Sequence, residues 1–263
     1  MNRKLILIIS DGGGDSPLRG VKLDEIAYLN FFKSPEGGAW RNSEIFVFNN
    51  NFRLENLSRL ASLKDENKID YFLIVYCGHG YTDENGQIHF EVRPDCDLLL
   101  HDIVNCVSET RCLIIADSCR TVCRLDEGGN IRRNLFSQAN NDNSADYVDL
   151  CRNLYNSCIL LTNKTELTIL FADSYNETAS ENNKGGIYSY SLLAAAQKII
   201  KDLRLGLFNG RDIFSAIYCH NMAEQRVKEK SFYKQNPEIL YRSRGRYQFP
   251  FVVVPSLSRQ LGD

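Results

Sequence analysis

Two residues of this chain have the chemistry and the placement of a nucleophile and its base. The apolar run Asp70-Tyr71-Phe72-Leu73-Ile74-Val75-Tyr76 leads into Cys77-Gly78-His79-Gly80, and the run Arg111-Cys112-Leu113-Ile114-Ile115-Ala116 leads into Asp117-Ser118-Cys119-Arg120. A free cysteine ionises at about pH 8.5 and attacks as the thiolate, so at neutral pH it needs an imidazole or a set of dipoles close by. Cys119 is read as the nucleophile, and His79 as the base that activates it. The competing readings are an inert buried thiol, a histidine held at a strand end for packing, and a metal site of Cys77, His79 and Cys119. Glycines on both sides of His79 serve neither helix nor strand, and no closed set of four ligands stands at recognisable spacing, which weighs against the last two.

Both runs are short and unbroken, as in strands covered on both faces of a parallel sheet, and the stretch between them leaves room for a hairpin and a crossover helix. In an open α/β sheet the carboxyl ends of the strands carry the chemistry, so neighbouring strands would set His79 beside Cys119. Leu5 to Ile9 and Ile45 to Phe48 predict two more strands, with amphipathic helices over Lys22 to Phe32 and Leu54 to Lys64. Asn85-Gly86 predicts a hairpin before the alternating Gln87 to Val92, and Asp97 to Val107 predicts a helix. From Thr121 to Asp149 the periodicity disappears, which reads as a long exposed connection. Ile159 to Thr162 predicts a further strand, Ile187 to Leu203 and Arg211 to Lys228 two helices, and Gln248 to Val254 a last strand whose proline points to an edge or a strand start. The expected fold class is α/β: about six mostly parallel strands flanked by helices on both faces, in one domain over 1–263. Within it, 1–123 form a first half, 124–157 an exposed connection and 158–263 a second half.

With 263 residues, 43% hydrophobic and 24% charged, the chain can bury one substantial core. A net charge of −2 without a basic block gives no electrostatic reason to bind nucleic acid or an anionic membrane. Nine cysteines scattered through apolar runs do not make the framework of a small secreted domain. The apolar run Leu5 to Ile9 is also too short for a signal peptide, and no run reaches a transmembrane length, so the expected location is cytoplasmic with reduced thiols. Cys112 and Cys158 are placed in core strands, His89, His101 and His220 at surface or packing positions, and Cys123 on the loop after the nucleophile. Gly12-Gly13-Gly14 has neither the lysine and hydroxyl of a P-loop nor dinucleotide spacing, and reads as a substrate-side loop.

These residues resemble the caspase and metacaspase superfamily of cysteine proteases. Tyr76-Cys77-Gly78-His79-Gly80 is similar to that family's histidine motif at the end of its third core strand, and Asp117-Ser118-Cys119 to the metacaspase form of its nucleophile motif. Gly20-Val21-Lys22-Leu23-Asp24, Glu177 to Glu181 with Gly186-Ile187-Tyr188-Ser189, and Gln248-Phe249-Pro250 resemble further family stretches, so the likeness covers nearly the whole chain. Arg120-Thr121-Val122 departs both from the His-Ser-Gly usual in metacaspases and from the arginine-glycine of animal caspases. A minimal catalytic unit of bacterial type is what the resemblance implies.

It further implies a cysteine endopeptidase in which the backbone N–H groups of Gly80 and Cys119 hold the oxyanion. Asp24 and Asp117 would line the pocket for the residue before the cut and select arginine or lysine, with Asp173 as a third charge and Ser174 beside it in the groove wall. The plainer reading is that Asp24 supports its helix and Asp117 shapes a turn. Self-cleavage is expected in the exposed connection, where Arg124, Arg132 and Arg133 offer basic sites. No cofactor or resident metal is expected; some metacaspases use calcium, but Asp142, Asp146 and Asp149 lack the spacing of a known calcium loop. The expected partners are a protein or peptide substrate and a regulatory protein. Two rival readings stand: a catalytically silent caspase-like module that binds a partner through the same groove, and a nucleotide-binding protein using Gly12 to Gly14.

Overall fold

The computed structural model describes residues 1–13, 17–93, 96–120, 144–182, 185–208, 212–241 and 245–255. Strand and helix alternate at first: β1 (Arg3–Ile9), α1 (Val21–Lys33), a 3-10 turn (Asn42–Glu44), β2 (Ile45–Asn49), α2 (Leu54–Asn67) and β3 (Tyr71–Cys77). A meander of β4 (Gly80–Thr82), β5 (Ile88–Arg93) and β6 (Cys96–Leu99) then leads through α3 (Leu100–Cys106) to β7 (Arg111–Asp117). The second half holds α4 (Ala145–Leu161), β8 (Leu167–Phe171), the short β9 (Glu181–Asn182) and β10 (Gly185–Gly186), and α5 (Ile187–Arg204). It ends with β11 (Ile213–Ser215), α6 (Ala216–Lys230), β12 (Glu238–Tyr241) and β13 (Pro250–Val253).

Six strands form one sheet in the order β12-β8-β7-β3-β1-β2, all parallel except β12. Period-two alternation decides what each face touches. Leu5, Leu7, Leu73, Val75, Leu113 and Ile115 join one core with residues of α1, α4, α5 and α6. Ile6, Ile8, Phe72, Ile74, Cys112 and Ile114 join a second with residues of α2 and α3. Every residue of β3 and β7 is buried, which is why these strands read as unbroken apolar runs rather than alternating ones.

Several expectations are corrected. Ile159 to Leu161 is the last turn of α4, not a strand: Cys151, Tyr155 and Ile159 recur at helical spacing and are buried, while Leu160 and Leu161 face solvent. Residues 145–157 therefore belong to a packed helix, and the expected exposed connection does not extend through them. Cys158 sits in that helix too, whereas Cys112 lies in the core of β7. The sheet strand of this region is β8, and the sixth strand is β12, paired antiparallel with β8. Gln248 to Val254 yields β13, which forms a separate, buried ribbon with β11. Asp97 to Leu99 belongs to β6, so the α3 helix is shorter than expected, and the helix expected from Arg211 starts only at Ala216. The eight described cysteines are free thiols, His220 is buried against the Tyr188 hydroxyl, His89 stacks on Tyr81, and His101 is exposed.

Candidate active site

β3 and β7 end in register, with Cys77 paired to Asp117 and the Gly78 N–H donating to the Asp117 carbonyl at 3.1 Å. His79 and Cys119 each lie two residues beyond that last pair, so parallel pairing alone brings both to one end of adjacent strands. Cys77 lies elsewhere, with its thiol 3.8 Å from the Ser189 hydroxyl in the core under α5.

The histidine turn is held from three sides. The Glu91 N–H donates to the His79 carbonyl at 3.0 Å, the Tyr76 hydroxyl also reaches that carbonyl, and the imidazole lies against the Gly12 backbone. A Cβ on Gly12 would fall 2.2 Å from His79 Cδ2, and φ is +78° there, so only glycine fits. In the β4–β5 ladder the bonds run from Glu91 N to His79 O and from Asp83 N to Gln87 O. Gly80, opposite Phe90, therefore occupies a non-hydrogen-bonded position, and its N–H points away from β5. On that side lies the nucleophile turn, since Thr82 Oγ1 donates to the Arg120 carbonyl at 3.3 Å and a Cβ on Gly80 would fall 3.0 Å from the Cys119 carbonyl oxygen. This is the position an oxyanion donor needs. Gly80→Ala, whose new methyl would also meet the His89 carbonyl oxygen at 2.8 Å, is expected to lower kcat/KM on a peptide substrate by about 100-fold. Full activity in that protein would remove Gly80 from the site.

Cys119 is partly buried, and its thiol donates to the Ala179 carbonyl at 3.5 Å. Burial, with the Asp173 carboxylate adding to it, pushes the thiol up to about 12. The Cys119 thiol is therefore protonated at neutral pH, and would have to lose its proton to act as a thiolate.

Three carboxylates gather between the N-termini of α1 and α5. Asp24, in the first turn of α1, is 2% exposed and Asp117, the last residue of β7, is 7% exposed. Asp24 accepts the Gly186 N–H at 2.9 Å, Asp117 Oδ2 accepts the Ser189 N–H at 2.9 Å, and Glu181 Oε2 accepts the Gly20 N–H at 2.9 Å. The amides at helix starts suit negative charge. Glycine is required opposite them: a Cβ on Gly185 would lie 2.1 Å from Asp24 Oδ1, and one on Gly186 2.1 Å from Asp117 Oδ2. Burial raises the Asp24 carboxyl well above its ordinary value, the neighbouring Asp117 charge adds to this, and the Gly186 N–H opposes it. Asp117 is raised by burial too, against its bonds from Ser189, with Glu181 adding to the rise. Among the described residues no lysine or arginine forms an ion pair with any of the three.

Such carboxyls make stability fall with pH. The folded chain keeps protons on Asp24 and Asp117 that the unfolded chain releases at about pH 4, so their contribution is lost as pH rises from there towards the folded-state values. Tm is expected to drop by a few degrees between about pH 5 and about pH 8, and Asp117→Asn should flatten that slope. A slope unchanged in the variant would contradict this.

Glu181 was not legible as a member of this cluster, although it belongs to the Glu177 to Glu181 stretch; its contact with Gly20 spans 161 positions. Asp173 and Ser174 follow the end of β8. Asp173 is fully buried with Oδ2 on the Arg120 N–H at 3.2 Å, and the Ser174 hydroxyl donates to the Asn236 carbonyl at 2.9 Å. Neither hydrogen-bonds the Asp24–Asp117 cluster, because the turn after β8 directs both towards the nucleophile turn and the stretch before β12. Asp146 and Asp149 lie in α4. Arg124, Arg132, Arg133, Cys123 and Asp142 lie outside the described residues.

A parallel sheet of this order, with a cysteine and a histidine at adjacent carboxyl ends, is the layout of a caspase-like cysteine peptidase fold. The sequence matches the caspase domain family model over residues 3–247, and the chain belongs to that family. Its fold is similar to that of caspase-1 from Spodoptera frugiperda, with a TM-score of 0.55 at 14% identity over 90% of this chain and 85% of that one. It is also similar to a protein from Geobacter sulfurreducens, with a TM-score of 0.54 at 14% identity over 97% and 100% of the two chains. No curated protein sequence matches significantly. Among the described residues no helix is long and apolar enough to cross a membrane, and no group of three or more His, Cys, Asp or Glu could hold a metal ion.

Proposed function

We propose that this chain is a cysteine endopeptidase that cleaves after arginine or lysine through His79 and Cys119. The observation that carries the reading is the common register of the two residues beyond the Cys77–Asp117 pair, with the Gly80 N–H turned towards the same turn. In this mechanism His79 takes the Cys119 proton as sulfur attacks the scissile carbonyl carbon. The oxyanion is held by the N–H groups of Gly80 and Cys119. His79 then gives the proton to the departing amine, and later activates the water that hydrolyses the thioester. The basic side chain before the cut is drawn by Asp24, Asp117 and Glu181, which lack a cation of their own among the described residues.

The rival reading, a silent module, draws support from the thiol held protonated against Ala179. A fluorogenic arginine peptide, assayed with and without calcium on wild type and Cys119→Ala, separates them. Equal background rates in both proteins would sink the peptidase reading.

A further inference from the structure

Three adjacent strands of the sheet, β3, β7 and β8, each deliver one titratable side chain two residues past their ends: His79, Cys119 and Asp173. The third is not used by the mechanism above. The β7–β8 register ends at Ala116 and Phe171, and the Ala172 N–H donates to the Ala116 carbonyl at 2.9 Å, so Asp173 comes to lie alongside the Ser118–Arg120 turn. Its Oδ2 accepts the Arg120 N–H at 3.2 Å, a donor shared with the Glu177 carbonyl at 3.0 Å. Asn176 N–H returns a bond to the Arg120 carbonyl at 3.0 Å. The residue after the nucleophile is thus clamped through its backbone to the segment after β8.

Asp173 is fully buried, and its Oδ1 has no hydrogen-bond partner among the described residues. The nearby guanidinium of Arg120 does not pair with the carboxylate. Its Nη1 donates to the Asp173 backbone carbonyl at 3.1 Å and to Glu238 on β12 at 2.6 Å, while the group lies 4.6 Å over the Phe171 ring. An unpartnered oxygen behind a nucleophile needs an explanation, because burying it is costly.

We propose that Asp173 is a positioning residue of the nucleophile: it holds the Arg120 amide that anchors the Cys119 turn, and its buried carboxyl governs the pH at which the Cys119 thiol ionises. This rests on the reading of Cys119 as the nucleophile. The charged and titratable groups facing Asp173 are Arg120 after β7, Asp117 on β7 and Glu177 in its own loop. Those facing Cys119 are Asp173, Asp117, Glu91 on β5 and Tyr76 on β3, with His79 on the neighbouring strand end. Burial pushes the Asp173 carboxyl up to about 8, with the Arg120 charge and amide opposing the rise. Below that pH the group is neutral and leaves the thiol alone; above it a buried anion opposes formation of a second one.

The test is the rate of Cys119 alkylation by iodoacetamide across about pH 6 to 10, below the thiol's midpoint, where the rate tracks the small thiolate population; it is read by mass spectrometry of the labelled peptide. Asp173→Asn keeps the size and an acceptor for the Arg120 N–H but cannot ionise. Its labelling is expected to match wild type at about pH 6 and to be about tenfold faster above about pH 8.5, where Asp173 is ionised in the wild type. Labelling above about pH 8.5 that is equal to or slower than wild type overturns the proposal, as does a variant that merely melts earlier with the same rate profile. If the Asn protein does not fold, Asp173→Ser, smaller and uncharged, reads the same difference in rate. Labelling needs no peptide substrate, and a His79→Ala control reads the dyad separately. Labelling indifferent to His79 would count against the peptidase reading, whereas an unchanged rate in Asp173→Asn beside His79-dependent labelling would overturn the role of Asp173 alone.

Discussion

Cys119→Ala is expected to abolish cleavage of an arginine peptide, a fall of at least about 1,000-fold in kcat/KM, with no loss of fold. Sulfur is the attacking atom, and a methyl group cannot form the thioester, whereas its removal takes away only one weak bond, from Sγ to the Ala179 carbonyl. His79→Ala should cost about 100- to 10,000-fold, the usual worth of a general base, and more here because the buried thiol is held protonated. The double variant should be no worse than Cys119→Ala, since the two residues act as a unit. Residual activity in Cys119→Ala within tenfold of wild type would assign the chemistry elsewhere.

Asp117→Asn and Asp24→Asn are each expected to lower kcat/KM for arginine peptides by about 10- to 150-fold while Cys119 alkylation is no slower than in wild type, as a charge-assisted bond is worth about 1.5–3 kcal/mol. Arginine should be favoured over lysine, because a planar guanidinium can address two carboxylates at once. Glu181→Gln tests the third acid and should cost less, since Glu181 is more exposed than the other two. The pH dependence has a definite sign. Both aspartates are raised by burial, so a cationic side chain competes with their protons, and KM for arginine peptides should fall as pH rises through the raised values. A peptide library decides this. Cleavage after aspartate, or an arginine preference unchanged in both variants, would return Asp24 and Asp117 to a purely structural role at the start of α5.

The sheet was legible where burial is two-sided. β1, β3 and β7 announce themselves as unbroken apolar runs, and the turns after β3 and β7 carry glycine or polar residues that no strand needs. Legibility failed where an apolar run is short. Ile159 to Leu161 can end a helix or make a strand, and only the buried spacing of Cys151, Tyr155 and Ile159 decides for the helix. β12, with Glu238 and an exposed Leu240 at a sheet edge, has too little burial to leave a pattern.

Local order in the sequence determined which thiol and which imidazole stand just past strand ends, and which glycines flank the imidazole, because each is set by its immediate neighbours on one strand end. The register of β3, β7 and β8 decided the rest, since hydrogen-bonded pairing is what brings 79, 119 and 173 to one edge. The same holds for the acids. Glu181 meets Gly20, Asp24 meets Gly186, and Asp173 accepts the Arg120 N–H while facing Asp117. Those contacts depend on where the starts of α1 and α5 fall after the sheet is assembled, and long-range packing of that kind leaves no periodicity in the chain to read.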